Sequence, residues 1–420
     1  MTDQLTASQA AARLGVRTET LYAYVSRGLI ARQRGAHRSL FDLLEVERFA
    51  LSRRRTPPPL RGAAPPAGSE GAPFGVIETD ITLIDDDRLW FRGVPIEELA
   101  AAGAGHGFDA VVRWLFERTD EPRGDAGPLP PAPGADIAAG VVSALPDSAP
   151  TFSRLLAAIA ALTAVDPERY DIGADAVQRM TVRITSGMTD ALPLRGAAPA
   201  AGATLAERLW PRLTALPATP ARISVLDAAL IIMIDHDLAV SSLAARAAAS
   251  ARAHPYAVVA AGLGAMDSSL HGTMSATVVR ILEGIGAGAD PLSAVSVASR
   301  GIGAGLPGFG QALYPRGDPR ATLLLRRLRD TGDPEAIAAV EAVESLAVVI
   351  RERTGLLPTI DAALAAVTVA WRMPPDAGET IFAIARSSGW CAHALDEYTR
   401  PPLRLRAIGR YVGPDPVVRS

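Results

Sequence analysis

Ser224-Val225-Leu226-Asp227-Ala228-Ala229-Leu230-Ile231-Ile232-Met233-Ile234 runs without a break into Asp235-His236-Asp237. Leu226, Leu230, Met233 and Ile234 recur at helical spacing and mark one apolar side, so the segment reads as a buried helix over 224–234. The same texture continues outward in both directions. Alanine runs recur along the chain, as in Leu155-Leu156-Ala157-Ala158-Ile159-Ala160-Ala161-Leu162, and alanine is the strongest intrinsic helix former. Alternating strand patterns are scarce; Val76-Ile77-Glu78-Thr79-Asp80-Ile81-Thr82 alternates and predicts one small hairpin. Beyond Pro95 the chain reads as helices separated by Gly/Pro loops. The expected class is therefore all-α, and 420 residues suffice for two or three domains with a large core.

All 42 basic residues are arginine, which excludes Schiff-base chemistry, pyridoxal phosphate attachment and a P-loop lysine. A single cysteine, Cys391, excludes an internal disulfide and a thiolate zinc site. No charged leader precedes an apolar run, and no stretch of about 20 residues is free of charge. A cytoplasmic protein without membrane contact is expected. The formal net charge of −3 is small for this length, so the whole molecule is no polyelectrolyte. Charge is uneven, however. Residues 1–55 hold ten arginines against five acids, a local surplus of +5.

That basic segment has its own organisation. Thr6 is placed to cap a helix through Ala10, Ala11 and Leu14, and Gly15 ends it. Thr18 is placed to cap a second helix through Leu21, Tyr22 and Val25, ended by Gly28. A basic stretch from Arg32 to Arg38 follows, then Asp42 and Glu45 as a capping pair for a third helix. Helix, tight turn, helix, basic loop and helix is a winged helix-turn-helix order. Leu5 to Val16 and Thr20 to Leu29 resemble the MerR/excisionase-type DNA-binding domain. The resemblance implies a helix near Thr18–Arg27 entering a major groove and the Arg32–Arg38 loop as the wing. A packing or regulatory appendage is the competing reading. Residues 56–73, rich in Pro, Gly and Ala, read as a semi-rigid linker.

Three segments set ionisable residues in apolar helical surroundings: Asp235 to Arg246; Ser269-Leu270-His271-Gly272-Thr273-Met274-Ser275; and Leu306-Pro307-Gly308-Phe309-Gly310-Gln311-Ala312-Leu313-Tyr314 through Asp318-Pro319-Arg320. Taken singly, a histidine at a helix end is usually a cap, and a glycine-rich loop a turn. In order and spacing, however, they resemble the DHELNAS-like, PLHGGA-like and PGFGH-x-x-Y-x-x-x-DPR segments of the citrate synthase family. Asp361 in Leu357-Pro358-Thr359-Ile360-Asp361, the Ile381–Arg386 and Gly389–His393 helix, and an imperfect closing match over 404–413 extend the resemblance across residues 74–415. It implies a large domain over 74–274 and 361–420 and a small one over 275–360, on the coenzyme A side.

The resemblance also implies the chemistry: acetyl-CoA condensed with a 2-oxo acid, oxaloacetate by default, with CoA released and with neither metal nor further cofactor. Such a reaction needs a base for a weakly acidic methyl proton and a donor where enolate charge develops. Asp361 is then the base and His271 the donor. Arg320, Arg386 and Arg406 hold the acceptor's carboxylates, Arg406 across a homodimer interface, and His236 also holds the oxo acid. Arg300, Gly301, Leu306, Pro307, Gly308, Phe309 and Gly310 belong to the coenzyme A loop. Gln311 stands where the family carries a histidine that polarises the acceptor carbonyl. An amide donates one neutral hydrogen bond and brings no charge, so the acceptor assignment turns on this residue. A sensor that binds DNA through residues 6–54 and has lost turnover is the alternative. Against it, a sensor needs no general base, and Asp361, His271 and His236 are all present.

Overall fold

The structure, a computed structural model, describes residues 4–34, 38–53, 77–101, 107–117, 119–120, 122, 127–299, 305–405 and 412–413. Strands among these residues are confined to two three-stranded antiparallel sheets; the rest of the regular structure is helical. The all-α class expected from the alanine-rich texture holds, with these two small sheets as its strand content among the described residues.

The N-terminal unit contains the expected helices. Ala7–Arg13 starts at Thr6, whose side chain accepts from the Gln9 amide while Gln9 reaches back to the Thr6 amide. Thr18–Ser26 is capped by Arg17 in extended conformation, without a side-chain bond, and Thr18 lies inside the helix rather than before it. Before helix Leu43–Arg53, Asp42 accepts from the Glu45 amide at 2.9 Å. The Glu45 carboxylate turns away from its expected capping role to accept from the Ala31 amide at 2.8 Å. Strands Gln4–Thr6, Ser39–Asp42 and Gln33–Arg34 form one sheet with Ser39–Asp42 in the middle. The linker expected at 56–73 lies outside the described residues.

The second sheet comprises Thr82–Asp85, Arg88–Phe91 and Val94–Pro95. The hairpin expected over 76–82 therefore begins where that alternation ends. Its turn is Asp86-Asp87, both left-handed (φ +48° and +57°), the two-residue geometry that matches strand twist.

The core of the main body runs continuously from Ile81 to Ala394. Helix Ala377–Tyr398 passes through its middle, buried on nearly all sides, and carries Arg386 and His393 into the interior with it. It packs against Ala174–Asp190, Val240–Ser250 and Pro255–Met266. The helix expected over 224–234 spans Pro220–Ile232, started by Thr219. Met233 and Ile234 are fully buried but lie beyond its end. Arg386 Nε takes the Met233 carbonyl at 2.8 Å, and Gly389 leaves room for the Ile234 carbonyl, which any Cβ there would meet. This contact sets the chain at Asp235-His236-Asp237, with Asp237 left-handed at φ +55°. No helix among the described residues is long and apolar enough to cross a membrane.

Candidate active site

His236, His271, Gln311, Arg320, Asp361 and Arg386, far apart in sequence, line one cavity of about 370 Å³. Leu306, Gly308, Phe309 and Gly310 line it too, with Pro307 buried beside them. Arg300, Gly301 and Arg406 lie outside the described residues. A larger cleft of about 910 Å³, beside Thr151 and Asp376, gathers none of these side chains. Convergent chemistry rather than size marks the site.

The backbone brings the pieces together. The Gly308 carbonyl accepts from the Thr359 amide at 2.8 Å and the Gly310 amide donates to Leu357 at 2.9 Å, so the glycine loop is zipped to the segment before Asp361. Gly308 is left-handed (φ +75°), and a Cβ there would strike Val278. Asp318 caps helix Pro319–Asp330 and accepts from Arg320 Nε and Nη2 at 3.0 and 2.8 Å. It also accepts from the Ile360 amide at 3.1 Å, which locks Arg320 to the start of helix Ile360–Ala370. Asp361 sits in that helix's first turn.

Electrostatics then separates the roles. Burial raises the Asp361 carboxyl to about 6 against the opposing pull of Arg320, so the group is poised as a base near neutrality. Burial, aided by Arg386, lowers His271 to about 4, and this imidazole is neutral at pH 7. His236 is likewise held well below its ordinary value by burial and by the cations Arg320 and Arg386. Burial brings Arg386 down to about 10, still fully charged. Its Nε is used by Met233, but Nη1 and Nη2 are buried with no hydrogen-bond partner among the described residues. A guanidinium with its fork unspent in a cavity has the geometry to receive a carboxylate.

Several contributors carry no signal in the sequence by themselves. Ser241 Oγ lies 2.7 Å from His271 Nε2, and Phe382 meets the His271 ring edge-on at 5.7 Å between centroids. Tyr314 Oη lies 2.9 Å from His236 Nε2. Beneath them, Arg246 donates to His393 Nδ1 at 2.9 Å, which leaves the His393 proton on Nε2, facing Asp235 at 3.2 Å. Thr82 donates to the same carboxylate at 2.5 Å. This buried line fixes the backbone that carries His236. Ser241 and Tyr314 stand inside the motif segments, so the signal that could have found them was motif membership rather than residue type.

Residues 71–410 match the family model described as citrate synthase, C-terminal domain. The chain belongs to the citrate synthase family. A citrate synthase of Haloferax volcanii is 32% identical over 189 residues, 44% of this chain and 49% of that protein, so this match spans about half the relative's length. A Deinococcus radiodurans citrate synthase is 26% identical over 82% of this chain and 95% of its own. A Mycobacterium tuberculosis 2-methylcitrate synthase is 26% identical over 78% and 85%. The fold matches that of Thermoplasma acidophilum citrate synthase, solved as a ternary complex with carboxymethyl coenzyme A and oxaloacetate. The TM-score is 0.66 at 23% identity, covering 84% of this chain and 98% of that one. A mostly helical citrate-synthase fold is thereby shown.

Proposed function

We propose that this cavity condenses acetyl-CoA, or a similar acyl-CoA, with oxaloacetate or a related 2-oxo acid. The observation that carries the reading is the gathering of a base near neutrality, a neutral imidazole and an unspent buried guanidinium around one cavity. The ligands of the Thermoplasma complex, an acetyl-CoA-like thioether and oxaloacetate, are of the two classes this chemistry joins.

In this reading Asp361 removes a proton from the acyl methyl group. Ser241 donates to His271 Nε2, so that Nδ1 carries the proton and donates to the thioester oxygen as enolate charge develops. A neutral donor suits this step, because it need not surrender a proton to act. The enolate carbon attacks the acceptor carbonyl, whose oxygen takes a hydrogen bond from the Gln311 amide as it becomes an alkoxide and then gains a proton from water. Water then cleaves the thioester, releasing CoA and a new carboxylate. Arg386 and Arg320 hold acceptor carboxylates, and Arg406 completes the site from the other chain of a homodimer. Residues 305–310 line the acyl-CoA side. The division into 74–274 with 361–420 and 275–360 accords with a cavity that takes side chains from each part.

The N-terminal unit is read as a winged helix-turn-helix, supported by its element order and its arginine surplus, and DNA is its proposed partner. A cytoplasmic location is part of the same reading. A thiol-release assay with acetyl-CoA across a panel of 2-oxo acids tests the enzyme: release with oxaloacetate or a close analogue is expected. No release with any oxo acid, together with tight DNA binding that responds to one, would favour the sensor.

A further inference from the structure

Arg13, in the N-terminal unit, is 7% exposed and reaches 286 residues along the chain to the carbonyl of Ser299, which its Nη1 meets at 2.8 Å. Its Nη2 donates to the Gly305 carbonyl at 2.5 Å, and its Nε pairs with Glu47, itself 2% exposed. Gly305 lines the cavity, and it opens the Gly305–Gly310 stretch that carries Leu306, Gly308, Phe309 and Gly310. The apolar packing tells the same story. Leu306 and Phe309 belong to one continuous cluster with Leu21, Phe41 and Val46 of the N-terminal unit and with Ile281 and Ile350 of the main body. Helix Leu43–Arg53 lies against helix Pro334–Thr354, and Asp42 accepts from Arg353 at 2.7 Å at the edge of that contact.

We infer that Arg13 is a positioning residue for the acyl-CoA side of the cavity, so that the N-terminal unit is a working part of the acyl-CoA site. The physical case is direct. A planar guanidinium can hold two separate carbonyls and a carboxylate in one fixed geometry, which neither an ammonium nor an apolar side chain can do. Glycines in the 305–310 stretch leave its backbone little intrinsic stiffness. The constraint comes from outside: from Thr359 and Leu357 on one side, and from Arg13 on the other. On the carboxylate-binding side, Arg320 is held by Asp318 and Arg386 by the Met233 carbonyl, and among the described residues neither bonds to the N-terminal unit. Loosening Arg13 therefore weakens acyl-CoA recognition and spares the oxo acid.

The inference rests on the proposed condensation, and the test separates the two. Steady-state thiol release is measured for the full-length wild type, Arg13→Lys, and the double variant Arg13→Met with Glu47→Leu, each checked for folding by circular dichroism. The double variant removes a buried pair together, which leaves no unpaired charge. Both are expected to raise KM for acetyl-CoA by about tenfold, the loss of roughly one to two hydrogen bonds. kcat and KM for the oxo acid stay within about twofold, as uniform loss of binding to one substrate requires. A merely structural role would lower the melting temperature or the active fraction and leave both KM values unmoved, and that result would overturn the inference. Wild type without thiol release would bring down the condensation reading and this inference with it. Active wild type with unchanged KM in the folded variants would sink the inference alone.

Discussion

Ser241 Oγ and His271 Nε2 stand 2.7 Å apart, across 30 residues of sequence, and the contact decides which ring nitrogen of His271 is free to face the cavity. Because burial keeps this imidazole neutral at pH 7, one nitrogen accepts and the other donates. Ser241→Ala removes the partner that fixes the assignment. Turnover should fall by about tenfold, the worth of one hydrogen bond felt at the transition state, with both KM values little changed. Steady-state kinetics on the folded variant checks this; unchanged kcat would show that His271 is oriented by something else.

The pH dependence follows from Asp361. Its carboxyl, raised to about 6 by burial, must be ionised to accept a proton. Log kcat/KM should therefore rise with unit slope as pH increases toward 6 and level off above about 7. His271, lowered to about 4, stays neutral throughout that window and adds no second step. A rate that falls between pH 5 and 7 would mean that a protonated imidazole is the working form.

Arg386→Leu should raise KM for the oxo acid by about a hundredfold, since bonds to a charged group are worth about 1.5–3 kcal/mol each. Arg386→Lys restores charge without the fork and should recover only part of the loss. KM for acetyl-CoA is the internal control and should move less than about twofold. Equal damage to both substrates would show general disruption of helix Ala377–Tyr398.

Gln311 lines the cavity where the family's histidine is expected. With oxaloacetate as acceptor, Gln311→His should increase kcat by about tenfold or more, because a cationic donor at a developing alkoxide is worth about 3 kcal/mol. A fall in kcat with oxaloacetate would instead indicate an acceptor whose own donor pairs with the amide oxygen.

Most of the site is legible in the sequence by two routes: His236, His271 and Arg320 are ionisable residues in apolar surroundings, and Asp361 and Arg386 follow from the family resemblance; all five converge on the cavity. What escaped was whatever depends on tertiary approach. A serine in the first turn of a helix and a tyrosine in a loop look ordinary until Ser241 meets His271 and Tyr314 meets His236. Arg13 is one of the ten arginines that make the N-terminal segment basic, yet it is buried against Ser299 and Gly305. Boundaries slipped for a related reason. Met233 and Ile234 carry the apolar pattern of a helix because they are buried, but pattern reports burial rather than backbone hydrogen bonding. The hairpin was misplaced because its turn is made by Asp86-Asp87 in left-handed conformation, a choice that alternation of side chains does not reveal.

The most direct test of the account compares wild type with Asp361→Asn in one experiment: thiol release from acetyl-CoA in the presence of oxaloacetate, with the product identified by mass. Wild type should release CoA in step with a condensed tricarboxylic product. Asparagine keeps the shape of the side chain and cannot accept the methyl proton, so the variant should be slower by about 10²–10⁴ while binding oxaloacetate normally. A variant that keeps more than about a tenth of wild-type turnover would contradict the assignment of Asp361 as the base, on the usual cost of losing a general base.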